Sequence, residues 1–240
     1  MASERQYEGG ELELFEGAVN WKAYWTAKLS PFITGNVLEV GAGRGANLAA
    51  FGQAPGRQWT LLEPDPELCE AIRNKITSAQ LPAGTSVMCG MLGDLPADAT
   101  FDSILYIDVL EHIEDDRTEV AAAAEHLAPG GHLVVLCPAH QAVYSPFDAA
   151  IGHYRRYDRP GLLALTPSSL VPLTAFYLDS LGLVLSAANR YVAKKSAPTP
   201  ATIKIWDSSV VPLSRVFDPL TGYRLGRSVI AIWKKAAASG

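Results

Sequence analysis

The stretch VLEVGAGRGAN, residues 37–47, decides the fold of this chain. Apolar residues over 36–40 predict a buried strand, and Gly41, Gly43 and Gly45 then turn the chain sharply into a helix. Glycine has no side chain, so a ligand can approach the bare backbone of such a turn. The stretch therefore predicts a ligand-binding turn at the carboxyl end of a buried strand.

Strand-like and helix-like segments alternate after that turn, which is typical of parallel strands joined by crossover helices. Further strands are predicted over residues 59–63, 101–107 and 132–137, with a weaker one over 85–89 and two later ones over 170–177 and 228–233. Helices are predicted over 21–29, 67–76 and 119–127, and a helical insertion that includes 202–217 precedes the last strand. We expect one domain over 1–240, with a cap helix region at 1–35, a cofactor-binding core at 36–138, and substrate-side segments with the insertion at 139–227.

The composition limits the classes of function. With 48% hydrophobic and 19% charged residues, the chain is too apolar for general disorder. Its formal net charge of -5 provides no positive field, so nucleic acid is not expected as a partner. Cys69, Cys89 and Cys137 lie far apart and predict buried free thiols of a reducing compartment. The acidic first residues include no apolar core of secretory length, which favours a cytoplasmic location.

The glycine turn by itself leaves two ligand classes open. Gly41, Gly43 and Ala46 also satisfy the GxGxxA dinucleotide pattern, and Glu63 follows at the distance of a ribose-binding acid. Glu39 favours a cationic ligand, because a carboxylate just before the turn would repel a pyrophosphate. S-adenosylmethionine carries an ammonium group and a sulfonium, whereas NAD carries phosphates, so the charge at this position favours S-adenosylmethionine.

Four segments, in this order and spacing, resemble the class I S-adenosylmethionine-dependent methyltransferase family: VLEVGAGRG, LLEPD, FDSILYIDVLEHI and LAPGGHLVVLCPA. The resemblance covers about residues 37–138. It implies an α/β, doubly wound, Rossmann-like fold with a mostly parallel seven-stranded sheet, helices on both faces and an antiparallel last strand. It also implies that Glu39 and the backbone of 41–45 hold the methionine part of the cofactor, and that Glu63 accepts the ribose hydroxyls.

The adenine end departs from the family pattern. The family often places an acid soon after the third strand to accept the adenine amino group, whereas CGMLGDLP has Met91 at that position. Either Met91 packs on the adenine face while the Leu92 backbone reads its edge, or Asp94 supplies the carboxylate. The expected cofactor contacts are Glu39, Gly41, Ala42, Gly43, Glu63, Pro64, Met91, Leu92, Asp108 and Val109.

The segment PAHQAVYSPFDAAIGHYRRYDRP, residues 138–160, gathers candidates for the chemistry. It follows a predicted parallel strand, and ligands of open α/β sheets bind outside the carboxyl ends of strands. We expect His140 or His153 as general base, near Asp108. The expected substrate contacts are His112, Tyr144, Tyr154, Arg155 and Arg156, with the arginines meeting an anionic group. In the alternative interpretation the arginines pair with Asp115, Asp116 or Asp148 and only fix the loop.

The DVLEH segment invites a metal interpretation, because Asp108, Glu111 and His112 resemble a grouping that holds a divalent cation in related quinone-ring methyltransferases. Adjacent Glu111 and His112 diverge on a helix, however, and no further ligand is evident from the sequence. We therefore expect no metal.

Two apolar segments also have alternative interpretations. Trp21, Tyr24 and Trp25 predict a helix that either caps the ligand or packs on the sheet. Residues 170–188 are long enough to span a membrane, but Asp179 near their middle disfavours insertion, so a strand followed by a helix is expected. The basic residues that follow, Arg190, Lys194 and Lys195, leave contact with a membrane surface or a lipid-like substrate open.

The sequence therefore predicts an enzyme that transfers a methyl group from S-adenosylmethionine, leaving S-adenosylhomocysteine, to an oxygen, nitrogen or carbon atom of a small molecule. An NAD(P)-dependent oxidoreductase and a non-catalytic module that binds the same nucleosides are the alternatives. No pattern in the sequence indicates the acceptor or the oligomeric state.

Overall fold

The computed structural model describes residues 14–52, 54–190 and 198–237. Seven strands form one sheet in the order β3-β2-β1-β4-β5-β7-β6. The strands are β1 (Asn36–Val40), β2 (Gln58–Glu63), β3 (Ser86–Cys89), β4 (Phe101–Ile107), β5 (Leu127–Pro138), β6 (Leu170–Leu178) and β7 (Ser228–Lys235). Strands β1 to β5 pair in parallel, and β7 runs antiparallel to both β5 and β6. The predicted mostly parallel sheet with an antiparallel last strand is confirmed.

Helices connect these strands and cover both faces of the sheet. They are α1 (Val19–Leu29), α2 (Ala46–Phe51), α3 (Pro66–Thr77), α4 (Asp116–Glu125), α5 (Pro146–Ala150), α6 (Arg159–Leu163), α7 (Ser180–Ala188), α8 (Pro200–Ile205) and α9 (Val211–Leu220). A π-helical turn, Trp206–Val210, joins α8 to α9. Asp65 caps α3 by accepting from the backbone N–H groups of Glu67 and Leu68, and Pro66 takes the first helical position, as the sequence predicts.

Side chains alternate between the two faces of the sheet along each strand, so the hydrophobic core has one part on each face. Leu38 and Ile104 pack with Val120 of α4 on one face, whereas Val37 and Leu105 pack with Leu29 of α1 on the other. Successive strand residues point to opposite faces, so the nearly continuous apolar runs require helices on both sides. The doubly wound arrangement follows from those runs.

The structure corrects two boundaries. Helix α4 ends at Glu125, and β5 already begins at Leu127, although a helix is predicted up to 127 and a strand only from 132. Leu127 pairs with Phe101 across an irregularity in the ladder, so the Pro129-Gly130-Gly131 stretch lies within the strand as a bulge-like interruption.

The apolar stretch 170–188 forms β6 followed by α7, as predicted. Asp179 lies between them, fully buried, and its side chain accepts from the N–H of Gly182. Across 14–52, 54–190 and 198–237, no helix combines the length and apolar character that a membrane crossing needs. Lys194 and Lys195 lie outside the described residues.

The cysteines differ from the expectation. Cys69 of α3 and Cys89 of β3 form a disulfide, with their Cα atoms 6.0 Å apart, which is an ordinary separation for a disulfide. The prediction of free thiols is wrong for this pair, because residues distant in sequence become neighbours when β3 pairs with β2 beside α3. Cys137 is a buried free thiol, as predicted.

Candidate active site

A cavity of about 1680 Å³ lies outside the carboxyl ends of β1, β2, β4 and β5. It is larger than the roughly 300–1,000 Å³ of common small-molecule pockets, so it has room for a nucleoside and a second molecule. Its roof comes from α1 and from the segment around α8. Asp207 joins these two parts, because its carboxylate accepts from the backbone N–H groups of Asn20 and Trp21 at 3.2 and 2.8 Å.

The glycine turn forms one wall of the cavity. Gly41, Gly43 and Gly45 have φ angles of 67°, 56° and 72°, in the left-handed region that favours glycine. A Cβ atom on Gly41 would lie 2.6 Å from a methyl carbon of Val109, so this position has room only for glycine. Gly41, Ala42, Gly43 and Val109 all line the cavity, as the resemblance implies.

Glu63 ends β2 at the cavity wall. Its carboxylate accepts from the N–H of Gly43 at 2.7 Å and from the N–H of Asp65 at 3.0 Å. Burial raises the pKa of Glu63, and these two hydrogen bonds oppose that rise. The glycine turn and the acid are thus held in one rigid unit.

Glu39 lies beneath the turn and is fully buried. One carboxylate oxygen accepts from Asn47 Nδ2 at 2.8 Å, and the other, Oε2, has no hydrogen-bond partner among the described residues. Burial raises the pKa of Glu39 to about 7. Asn47 lines the cavity whereas Glu39 does not, and the expected contact of Glu39 with a ligand stays a prediction.

The expected adenine end has Met91 and Leu92 on the cavity surface, together with Pro64. Met91 is 68% exposed and Leu92 is buried, so the methionine side chain is available to cover a flat ring. Asp94 accepts from the Met91 N–H at 2.8 Å, and this bond orders the turn. Of the two interpretations of this end, the one in which Met91 and Leu92 form the rim fits the described arrangement.

Asp108 follows β4 with a φ of 53°, and its N–H donates to the Leu136 carbonyl at 2.8 Å. Its side chain is open to the cavity yet enclosed by surrounding protein, and this enclosure raises the pKa of Asp108 to about 6. His153, when it is protonated, and the charges of Arg227, Arg156 and Lys22 oppose the rise. At this position on the cavity wall, burial and the nearby positive charges therefore act in opposite directions on the pKa of Asp108.

Glu111, His112 and His153 meet beside Asp108. Both carboxylate oxygens of fully buried Glu111 lack a hydrogen-bond partner among the described residues, and burial holds its pKa well above the ordinary value. The His112 and His153 rings meet edge to face with centroids 4.5 Å apart, and burial lowers the pKa of His112 to about 4. One potential ligand atom from each of the three lies within 4.8 Å of the others, a spacing that could hold a metal ion. His153 is thus a candidate ligand that the sequence does not reveal, and the expectation of no metal stays a prediction.

Asp148 orders the loop that carries His153. Its carboxylate accepts from Arg156 Nε and Nη2 at 2.8 and 3.0 Å and from Ser145 Oγ at 2.6 Å, and it lies 3.0 Å from His153 Nδ1. Burial alone would raise the pKa of Asp148, but the bonds from His153 and Arg156 outweigh it and lower this pKa. The cation of Arg156 is thus committed to the loop, although its side chain also reaches the cavity.

Four other candidates from this loop do not line the cavity. His140 has a φ of 64°, and its ring stacks on Tyr177 with centroids 4.8 Å apart, beside a separate pocket. The Tyr144 hydroxyl donates to the His153 carbonyl at 2.7 Å. Tyr154 is 41% exposed, and Arg155 pairs with Asp116 at 2.6 Å. These positions do not favour the expected substrate and base roles, which stay predictions, and the pairing of Arg155 with Asp116 fits the loop-fixing alternative.

The cavity also includes residues that the sequence does not point to. Lys22, Trp206 and Arg227 line it from α1, the π-helical turn and the start of β7. Trp21 and Trp25 line it as expected of a cap, whereas the third aromatic of that helix donates its hydroxyl to Asp218 and serves packing.

A sheet of this strand order, with a glycine turn after β1, an acid ending β2 and a large cavity at the same edge, defines a class I methyltransferase fold. Residues 38–135 match the family described as a methyltransferase domain. The matched segment covers 98 of the 240 residues, and over that segment the chain resembles the methyltransferase domain family.

Curated relatives that are similar to part of this chain are also named as methyltransferases. The chain is 32% identical over 134 residues to a demethylmenaquinone methyltransferase of Tropheryma whipplei (strain Twist), covering 55% of this chain and 53% of that protein. It is 30% identical over 141 residues to the O-methyltransferase cnsE of Penicillium expansum, covering 57% and 50%. The match thus spans about half the length of these curated relatives. The structure of the N-methyltransferase NodS from Bradyrhizobium japonicum WM9 with S-adenosyl-L-homocysteine has the same fold, with a TM-score of 0.58 and 17% identity over 95% of this chain and 97% of that one.

Proposed function

We propose that this protein transfers a methyl group from S-adenosylmethionine to a nucleophilic atom of a small molecule held in the same cavity, with His153 accepting the proton. One observation carries the proposal: one set of residues suited to bind a nucleoside and a second set suited to proton transfer line the same cavity, at neighbouring strand ends. The glycine turn and Glu63 follow β1 and β2, and Asp108 and His153 lie beside the ends of β4 and β5. The names of the relatives, which include O- and N-methyltransferases, support methyl transfer.

The residues of the first set fit a positively charged nucleoside. The bare backbone of Gly41 and Gly43 permits close approach, and Glu63 presents carboxylate oxygens that ribose hydroxyls can donate to. The unpartnered oxygen of Glu39 leaves an uncompensated acceptor beneath the turn, which a nearby ammonium group would stabilise. When bound, S-adenosylmethionine supplies a methyl group already activated by its sulfonium. The protein then needs to align the acceptor, exclude water and take up a proton.

His153 is suited to accept that proton because Asp148 orients its ring and the residue lines the cavity. When Asp148 is ionised, its carboxylate accepts a hydrogen bond from Nδ1–H of the neutral ring, so Nε2 is the nitrogen that can take up a proton. Nε2 lies 3.8 Å from Oε1 of Glu111, which also lines the cavity. The same logic of a base held by a carboxylate recurs in many catalytic sites.

Glu111 has a different role, because burial raises its pKa well above the ordinary value and so favours the neutral carboxylic acid. A neutral acid can donate a hydrogen bond to an acceptor molecule and does not compete with His153 for the proton. We propose that Glu111 orients the acceptor, and that His112, kept uncharged by its lowered pKa, packs the opposite edge of the His153 ring.

The first test is calorimetry with S-adenosylmethionine, S-adenosylhomocysteine and NADH. We expect the first two to bind and NADH to show no heat of binding. Binding of NADH alone would overturn the proposal in favour of the oxidoreductase. Binding of both sulfur nucleosides without turnover, on a broad panel of acceptors with a labelled methyl donor, would instead support the non-catalytic module.

The second test compares His153→Ala with His140→Ala on any acceptor that the panel reveals. Loss of a general base costs roughly 100- to 10,000-fold in kcat, so His153→Ala should fall by about that factor and His140→Ala should stay within a few-fold of the parent. The Kd for S-adenosylhomocysteine should be unchanged in both, because neither side chain contacts the glycine turn. Normal turnover by His153→Ala would refute its role as the base.

A further inference from the structure

Arg227 is a cavity-lining cation that forms no ion pair within the described residues. Two other basic side chains on the wall do have partners: Arg156 is paired with Asp148, and Lys22 donates to the carbonyls of Phe15 and Glu16 at 2.9 and 2.7 Å. Arg227 lies over two aromatic rings, with its guanidinium carbon 4.6 Å from the Trp206 ring centroid and 5.8 Å from that of Phe15. No carboxylate in 14–52, 54–190 or 198–237 forms an ion pair with Arg227.

Arg227 is held in place by its backbone. Its N–H donates to the Asp179 carbonyl at 3.0 Å, and its own carbonyl accepts from the Ala139 N–H at 2.7 Å. The Asp179 side chain also accepts from the Trp206 indole N–H at 2.8 Å, so one residue fixes both the arginine and the ring beneath it. A guanidinium on such a platform is oriented before any ligand arrives, which lowers the entropy lost on binding.

The sheet order places Arg227 on the far side of Asp108 from the glycine turn. Going across the sheet, Glu63 ends β2, the turn follows β1, Asp108 follows β4, and Arg227 precedes β7 next to β5. A nucleoside along the glycine turn would therefore leave the β5–β7 side of the cavity for the second molecule. That side is largely apolar, with lining residues Val143, Phe147, Ile151, Ile203 and Trp206.

We infer that Arg227 anchors an anionic group, such as a carboxylate or phosphate, on an otherwise apolar acceptor molecule that lies over Trp206. The inference rests on the proposed function, since it names the class of acceptor. Burial lowers the pKa of Arg227 even though the charges of Asp179, Asp108 and Asp148 oppose that shift, so the guanidinium is incompletely compensated. An anion that forms two parallel hydrogen bonds with it would remove the cost of that incomplete compensation. The apolar remainder of the acceptor would bury its surface against the listed side chains of the β5–β7 wall.

Two fluorescent probes of the same shape separate charge from apolar packing. Anilinonaphthalene sulfonate carries one negative charge, and N-phenylnaphthylamine is its neutral counterpart. We expect Arg227→Gln to weaken the sulfonate roughly 10- to 100-fold, as the loss of a charge-assisted hydrogen bond would, and to change the neutral probe less than about 2-fold. Arg227→Lys should retain part of the preference for the sulfonate, because it keeps the charge.

Arg215→Gln is the matched control, because Arg215 also lies over an aromatic ring, at 5.4 Å from the Tyr24 centroid, but outside the cavity. It should bind both probes like the parent. Equal losses of the sulfonate in Arg215→Gln and Arg227→Gln, or equal losses of both probes in Arg227→Gln, would overturn the inference. Displacement of the sulfonate by decanoate or by decyl phosphate tells which anion is preferred, and failure of both to displace it would also count against the site.

Binding of S-adenosylhomocysteine, measured on the same samples, keeps this inference separate from the proposed function. Arg227→Gln should bind the nucleoside with the affinity of the parent, which also shows that the variant is folded. A parent that binds the sulfonate selectively through Arg227 but not the nucleoside would refute methyl transfer alone. A parent that binds the nucleoside but does not distinguish the two probes would refute the anion site alone.

Discussion

Replacing Glu39 by glutamine should stabilise the protein when no ligand is bound. Glu39 is fully buried, and one of its oxygens has no hydrogen-bond partner among the described residues, so its negative charge is poorly compensated. Glutamine has the same shape and still accepts from Asn47 Nδ2 through its amide oxygen. The substitution therefore removes the buried charge while keeping the packing.

The size of the effect follows from the pKa of Glu39, which burial raises from 4.5 to about 7. A raised pKa means that the folded protein holds the proton more tightly than the unfolded chain, so stability falls as the pH rises from about 4.5 to 7. Each pKa unit is worth about 1.4 kcal/mol, so the ionised group costs roughly 3 kcal/mol above about pH 7. The glutamine variant should lack this loss.

The assay is thermal unfolding of the ligand-free protein between about pH 5 and pH 8, with Glu125→Gln as an exposed control on α4. The advantage of Glu39→Gln should be under about 1 kcal/mol at pH 5 and grow to roughly 3 kcal/mol at pH 8. For a chain of this size, that corresponds to a rise in Tm of about 6–12 °C at the higher pH. A variant that is less stable than the parent at pH 8, or an advantage that does not grow with pH, would show that Glu39 is not an uncompensated buried charge.

Three further predictions concern the cavity. Glu63→Gln should weaken S-adenosylhomocysteine binding roughly 10- to 100-fold in calorimetry, because one of its two acceptor oxygens is lost, while exposed Glu67→Gln should leave the Kd unchanged. Gly41→Ala should lower Tm more than Gly52→Ala, since both have a φ of 67° but an added Cβ meets a neighbour within 4 Å only at Gly41; equal shifts would remove the argument from close packing. Dialysis against a chelator should leave methyl transfer intact if His153 is the base, and a loss that a divalent cation restores would mean that His153 holds a metal instead.

The side of the cavity with the glycine turn is predictable from the sequence because it is built locally. Gly41, Gly43 and Glu63 each follow directly from a strand whose apolar run is evident, and parallel strands bring their carboxyl ends to one edge. The positive φ angles and the hydrogen bond from Gly43 to Glu63 then give those residues the geometry that the pattern implies. Local pattern and tertiary structure agree here.

The acceptor side is less predictable, because it depends on how a loop folds back over the sheet. Both His140 and His153 are histidines of the same predicted loop, so the sequence gives no reason to prefer one as the base. The contacts of Asp148 with Arg156 and His153, which hold His153 at the cavity, become evident only in the folded structure. Arg227 stands directly before a strand with nothing in the adjacent sequence to mark it, and it becomes a cavity residue only because β7 inserts beside β5. Such placements need the tertiary contacts themselves.

The bond between α1 and the π-helical turn affects how the protein is made. Asn20 and Asp207 are 187 positions apart, so during synthesis α1 leaves the ribosome long before the carboxylate that its first turn requires. The strands that carry the glycine turn and Glu63, by contrast, are encoded between those two positions and can pair as they emerge. We expect nascent chains to acquire nucleoside affinity early and a closed acceptor chamber only near the end of translation.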